Sequence, residues 1–284
     1  MNNKIIGVIG AGTIGRGVVY TFAKCGYEVI MVDIDDEALK NAIDEIETTI
    51  KFQSMFDKNT EIEASDTILS RIRPTNNLEL LSSVGFIVEN IPENLHKKAE
   101  LHKTLSKICD SSCIVAVNTS CIPITEIACH SNREQNMIGI HFMNPVHLIK
   151  AVEVIKGFHT SKETIETTLE IISDIGMEGI VVNDQAGFVS NRISHLMMNE
   201  AAFIVHENIA TAMQVDDIFR KCYGHKMGPL ETADLIGLDT VVNSLEVLYE
   251  SYQDSKFRCC PLLKKMVNAR VLGRKTGRGF YEYE

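Results

Sequence analysis

The chain has 284 residues, 45% hydrophobic and 23% charged, enough for one large domain or two smaller ones with proper cores. A net charge of −10 with no basic stripe argues against a nucleic-acid partner, and no apolar run approaches the roughly 20 residues of a membrane span. Met1-Asn2-Asn3-Lys4 leads at once into a strand-like run, so no signal peptide is expected and the expected compartment is cytoplasmic.

Ile5–Ile9 is a short continuous apolar run, the pattern of a parallel strand buried on both faces. A helical stretch follows to about Cys25, and Val29–Asp33 gives a second apolar run. A helical, acidic insertion at roughly Ala42–Ser65 lengthens the link to the next strand. Further strand candidates are Gly85–Glu89, Ile114–Asn118, Met137–Phe142, Val152–Ile155 and Ile180–Asn183. Helical patterns such as Glu93–Ile108 and Lys162–Ser173 separate most of them, which predicts an α/β fold with a doubly wound sheet. After about Asp184 the texture changes. Gly187–Ile209, Ala212–Cys222, Pro229–Ile236 and Asp239–Ser251 all read as helices. The predicted organisation is a nucleotide-binding domain at 1–184 and an all-helical domain at 185–284.

Gly10-Ala11-Gly12-Thr13-Ile14-Gly15 fits G-x-G-x-x-G directly after an apolar strand and at the opening of a helix, the Rossmann-like context that gives this pattern meaning. Gly10 permits the tight turn, Gly12 lets the backbone approach a pyrophosphate, and Gly15 lets helix and strand pack closely. Thr13 and Ile14 complete the predicted cofactor loop, whose helix N-terminus favours phosphate. Asp33 ends the second apolar run, 18 positions after Gly15. A carboxylate there accepts the adenosine ribose hydroxyls and repels a 2′-phosphate, so NAD is expected rather than NADP. Arg16 either reaches the cofactor phosphates or is solvated.

Eight cysteines are scattered at 25, 109, 113, 121, 129, 222, 259 and 260, with no Cys-x-x-Cys pair and no ligand-spaced histidines. They read as reduced thiols serving as small apolar residues, and no metal site is expected.

Of nine histidines, His141 is set apart because it ends the apolar run Met137–Ile140. Ligands of open α/β sheets bind outside the carboxyl ends of the strands, where an imidazole with an ordinary pKa near ~6.5 serves as a general base. Glu153 lies inside the apolar sequence Ala151-Val152-Glu153-Val154-Ile155, where an unpaired carboxylate is unfavourable. It either pairs with His141 and orients the ring, or bonds to backbone.

With these residues in view, the chain resembles the 3-hydroxyacyl-CoA dehydrogenase family over essentially its whole length. The landmarks are the glycine motif at 10–15, Val88-Glu89-Asn90, Asn118-Thr119-Ser120, His141-Phe142-Met143-Asn144-Pro145 and Val152-Glu153-Val154-Ile155. Gly187–Arg192, Met227–Glu231 and Gly273–Tyr281 continue the series. The resemblance implies that His141 is the catalytic base paired with Glu153, and that Ser120 and Asn191 hydrogen-bond the substrate oxygen at the reacting carbon. It also implies cofactor contacts for Glu93, Lys98 and Asn118, and a homodimer formed through an apolar surface between Asn191 and Leu248.

The carrier of the acyl group stays open. The stretch Lys51–Ser65 has only Lys51 and Lys58 against three acids, a poor cradle for the phosphates of CoA. Gly224–Met227 through Leu262–Lys265 is similar to a branch that oxidises glyceryl or seryl groups on an acyl carrier protein for polyketide assembly. Lys256/Arg258, Lys264/Lys265 and Arg270/Arg274/Lys275 are then candidates for a basic docking patch, or else form a solvated tail.

Overall fold

A computed structural model describes residues 4–56 and 63–283, so Lys58 of the acidic insertion lies outside the described residues. The chain divides into two compact units, Met1–Asp184 and Gln185–Glu284.

The first unit runs β1 (Ile5–Ile9), α1 (Thr13–Lys24), β2 (Glu28–Val32), α2 (Asp36–Phe56), α3 (Ser65–Ser70), β3 (Ile72–Thr75), β4 (Phe86–Glu89), α4 (Leu95–Ile108) and β5 (Ile114–Asn118). It continues with α5 (Ile124–Ala128), β6 (Met137–His141), β7 (Ala151–Lys156), α6 (Lys162–Asp174) and β8 (Glu178–Asn183). The strands form one sheet in the order β3-β2-β1-β4-β5-β6-β7-β8. The order reverses between β1 and β4, which makes their carboxyl ends the ligand crevice of a doubly wound fold. Helices cover both faces of the central strands, and every residue of β4 and β6 is buried. Continuous apolar runs therefore read correctly as central strands.

Two features depart from the sequence expectation. The sequence gives no strand signal at β3, because Pro74 interrupts a largely polar four-residue run. It lies at the sheet edge, where a residue without an N–H is tolerated. The sheet is also not wholly parallel: β7 pairs antiparallel with β6, and β8 pairs parallel with β7. An apolar run carries no sign of its direction. This reversal puts Glu153 directly opposite His141 in the register.

The second unit contains α7 (Ser190–His206), α8 (Ala212–Tyr223), α9 (Pro229–Ile236), α10 (Leu238–Tyr252) and α11 (Pro261–Asn268). No strand occurs among its described residues, only two isolated bridges in the tail. α7 starts three residues later than expected, since Gly187 and Phe188 hold φ of 74° and 50°, outside the helical region. α8 carries a capping box of Thr211 and Gln214 and ends on left-handed Gly224, and Pro229 opens α9. The apolar faces of all five helices meet around Met198, Val215, Leu230, Val241, Leu245 and Leu263. No described helix is long and apolar enough to cross a membrane.

Candidate active site

The glycine loop joins β1 to α1. Gly10 has φ of 96° and donates its N–H to Val32 at 2.8 Å. A Cβ on Gly15 would overlap the Gly10 carbonyl oxygen, so only glycine lets α1 start this close to the strand. A Cβ on Gly12 would meet open space, which leaves the backbone approachable from outside. Gly12 caps α1 without a side-chain bond, Thr13 is exposed, and Ile14 is half-buried against the core. Asp33 stands one residue beyond β2, where its Oδ2 accepts the Ala11 N–H at 2.7 Å and its Oδ1 the Asp35 N–H at 3.1 Å. Arg16 is loosely paired with Glu45 at 3.9 Å. Asn90, just past β4, donates from Nδ2 to the Val88 carbonyl, while its buried Oδ1 has no partner. An orphaned acceptor beside the crevice fits a ligand that brings a donor. These residues suit a dinucleotide: an uncapped helix start, an open glycine and a carboxylate at the end of β2.

The catalytic pair lies further along the same sheet edge. His141 is the last residue of β6, and its Nδ1 is 2.8 Å from Glu153 Oε2 on β7. The side chains are 7% and 11% exposed. Directly opposed residues of an antiparallel pair have Cβ atoms about 4.5–5.5 Å apart, so the short bond needs no distortion. With Nδ1 committed to the carboxylate, acid–base exchange falls to Nε2.

Around this pair, Asn118 ends β5 and accepts the Phe142 N–H on Oδ1 at 3.2 Å, tying β5 to the peptide after His141. Ser120 follows on the loop into α5. Glu93 shapes that loop: its Oε1 accepts from Thr119 Oγ1 at 2.7 Å and from the N–H groups of Ser120, Cys121 and Ile122. Lys98 is fully buried, with both Glu89 oxygens and the carbonyls of Ile91 and Asn118 around its Nζ. Glu93 is exposed and Lys98 is fully buried, and each fixes a loop at a strand end. Asn191 belongs to the second unit, in the first turn of α7, where its carbonyl accepts from His195 Nδ1 at 2.9 Å. Sequence pattern alone assigns no role to Asn90, Glu89 or His102. Glu89 and Asn90 stand in the sequence only as part of the Val88-Glu89-Asn90 landmark, and His102 sits in a polar helix with no signal of its own.

A cavity of about 130 Å³ adjoins the loop that follows His141, lined by Thr13, Arg16, Tyr20, Thr49, Asn144 and His147 among others. Burial pushes the Tyr20 hydroxyl up to about 12. Burial and the nearby Lys24 charge hold His147 below the usual imidazole range, so it is neutral at physiological pH. All eight cysteines are free, and no cluster of three metal-ligating side chains occurs among the described residues.

Residues 5–185 match the model of the 3-hydroxyacyl-CoA dehydrogenase NAD-binding domain, and residues 187–283 match that of the same family's C-terminal domain. The chain belongs to the 3-hydroxyacyl-CoA dehydrogenase family. It is 43% identical over 284 residues to a probable 3-hydroxybutyryl-CoA dehydrogenase of Bacillus subtilis, covering 100% of this chain and 99% of that one. It is 40% identical over 281 residues to a 3-hydroxybutyryl-CoA dehydrogenase of Clostridioides difficile, covering 98% and 99% of the two chains. Among solved structures, an (S)-3-hydroxybutyryl-CoA dehydrogenase of Ralstonia eutropha superposes with a TM-score of 0.94 at 36% identity, covering 99% of each chain. The Rossmann-like first unit and helical second unit are those of this dehydrogenase family.

Proposed function

We propose that this family member interconverts a short (S)-3-hydroxyacyl-CoA and the corresponding 3-oxoacyl-CoA, with hydroxybutyryl as its acyl group and NAD as its cofactor. The observation that carries this is the 2.8 Å contact of His141 with Glu153 at the carboxyl end of β6, in the sheet that also presents the glycine loop and Asp33. His141 Nε2 takes the 3-hydroxyl proton in oxidation and returns it in reduction, while Glu153 fixes the ring and steadies its charge. Such acid–base help is worth roughly 10²–10⁴ in rate. Ser120 and Asn191 are assigned to hydrogen-bond the substrate oxygen as charge develops on it. Bound NAD supplies the hydride acceptor for C3, and its phosphates and ribose are assigned to residues 10–15 and Asp33. Asn118 and Glu93 shape the strand ends around it.

Coenzyme A is the carrier that the relatives' names favour. The basic residues considered for carrier-protein docking are largely engaged with acids. Lys256 pairs with Asp254, Lys264 with Glu246, Arg274 with Glu231 and Lys275 with Asp239. A patch neutralised in this way has little field left to steer an acidic protein.

We further infer a homodimer formed through the second unit, whose Ile193, Ile209, Met213 and Tyr223 are each more than 60% exposed. Light scattering should return twice the chain mass, and a monomer at micromolar concentration would count against this. The free thiols suit a reducing compartment, and we place the enzyme in the cytoplasm.

The test of the function is NADH oxidation with acetoacetyl-CoA, run beside seryl- and glyceryl-loaded carrier protein. Turnover on CoA supports the reading; silence on CoA with turnover on carrier protein would replace the carrier and keep the chemistry.

A further inference from the structure

Glu89, Lys98 and His102 form a cluster whose side chains have no exposure at all. Glu89 ends β4, while Lys98 and His102 lie one turn apart on the buried face of α4. Lys98 Nζ donates to Glu89 at 2.8 and 3.0 Å, to the Ile91 carbonyl at 3.2 Å and to the Asn118 carbonyl at 3.1 Å. Glu89 Oε1 also accepts the Ile91 N–H at 2.7 Å. His102 Nε2 stands 3.4 Å from Glu89 Oε2, and its buried Nδ1 has no partner.

Stability gives little reason to bury ions here, since well-packed apolar groups usually serve a core as well or better. What an apolar cluster cannot do is grip two carbonyls. The pair gripped by Lys98 belongs to the carboxyl ends of β4 and β5, on either side of which lie β1 with the glycine loop and β6 with His141. Ile91 is held at both its N–H and its C=O. Asn118 is held at its carbonyl by Lys98, and its side chain holds the Phe142 N–H next to His141.

We propose that the Glu89–Lys98–His102 cluster is a positioning element for hydride transfer: it fixes the ends of β4 and β5, and through Asn118 the peptide after His141, where cofactor and substrate meet. Lys98 acts through two backbone carbonyls, Glu89 holds the ammonium in place, and His102 steadies Glu89 from the next turn of α4. This rests on the dehydrogenase reading above.

The test uses the full chain and three readouts: melting temperature, NADH affinity by fluorescence titration without thioester, and kcat and KM with acetoacetyl-CoA. Glu89→Gln leaves a buried ammonium uncompensated and should lower the melting temperature sharply. Glu89→Gln combined with Lys98→Met removes both charges and should restore it. The restored chain still lacks the donor to Ile91 and Asn118. NADH should then bind about fivefold to tenfold more weakly and kcat should fall tenfold or more, about the scale of a sub-ångström to 1 Å misplacement. The thioester KM should stay within about twofold.

A double variant that regains wild-type melting, NADH affinity and kcat together would reduce the cluster to packing and overturn the proposal. If the double variant does not fold, Glu89→Asp decides. It keeps both charges and draws the carboxylate back by one methylene, and wild-type NADH affinity and kcat in that chain would equally overturn the proposal. A wild-type chain that binds NADH but leaves acetoacetyl-CoA untouched would sink the functional reading instead, and the NADH titrations would still decide the cluster.

Discussion

Among the described residues the first unit buries two histidine–carboxylate contacts, one within the sheet and one between a helix and a strand, and they are built for opposite ends. His141 and Glu153 face each other across antiparallel strands through one short bond of 2.8 Å, and both side chains keep a little exposure. His102 and Glu89 join a helix to a strand through a longer 3.4 Å contact, wholly buried, and Lys98 already compensates the carboxylate. A carboxylate that faces an imidazole across the strands stabilises the proton that the ring takes up during reaction. One that is already paired with an ammonium has less to offer the ring, and the histidine becomes a prop. The third partner and the solvent contact set the role; the residue types do not.

The strongest way to break this contrast is at the ring itself. His141→Gln should lower kcat at least ~100-fold while NADH affinity stays within a few-fold, because binding does not call on the base. Near-normal turnover would remove His141 from the mechanism. The carboxylates sharpen the comparison next. Glu153→Gln keeps volume and one acceptor, so kcat should fall about 10–100-fold with little change in melting temperature. Glu89→Gln breaks a fully buried pair, a change that typically destabilises by about 3–5 kcal/mol. If Glu153→Gln melts as early as Glu89→Gln, the two contacts are alike and Glu153 is structural. A third carboxylate, half-buried Asp33, gives a smaller effect. Asp33→Ala should narrow the preference for NAD over NADP by about tenfold, as repulsion of the 2′-phosphate is lost. An unchanged ratio of kcat/KM values would place the selectivity elsewhere.

How much of this was legible in the sequence depends on what each pattern encodes. The runs Ile5–Ile9, Ile114–Asn118 and Met137–Phe142 announce central strands because both faces are buried, and short continuous apolar runs of this kind have few other uses. Gly10 and Gly15 are legible because the turn they make is unavailable to other residues. The direction of β7 was not legible, since Ala151–Lys156 reads the same in either sense, and so the choice between His141 and backbone as the partner of Glu153 needed the register. Lys98 and His102 were hidden in a different way. They lie among Lys97, Glu100 and Lys103 on a helix that looks solvated, and only the packing shows that one narrow face carries an ammonium inward to Glu89. Family resemblance implies a cofactor contact for Lys98, and the packing adds its hold on two backbone carbonyls.

The smallest effect concerns acid. Burial by itself would push the Glu89 carboxyl up, but the His102 hydrogen bond and the charges of Lys98 and His102 outweigh it and hold the group below the usual carboxylate range. A carboxyl depressed in the folded state stabilises the fold above its unfolded pKa, near ~4.3. That contribution is lost as pH falls through the lower, folded value. Glu89 thus adds to the steepness of acid unfolding below about pH 4.3 and contributes no pH dependence near neutrality. The double variant Glu89→Gln with Lys98→Met has no carboxyl there to protonate. Urea unfolding at stepped pH should show its stability falling less steeply, by at most one proton, or ~1.4 kcal/mol per pH unit. Equal slopes would mean that Glu89 is protonated alike in the folded and unfolded chains. The cluster would then not hold an ion pair through the acid range, and the contrast with Glu153 would rest on geometry alone.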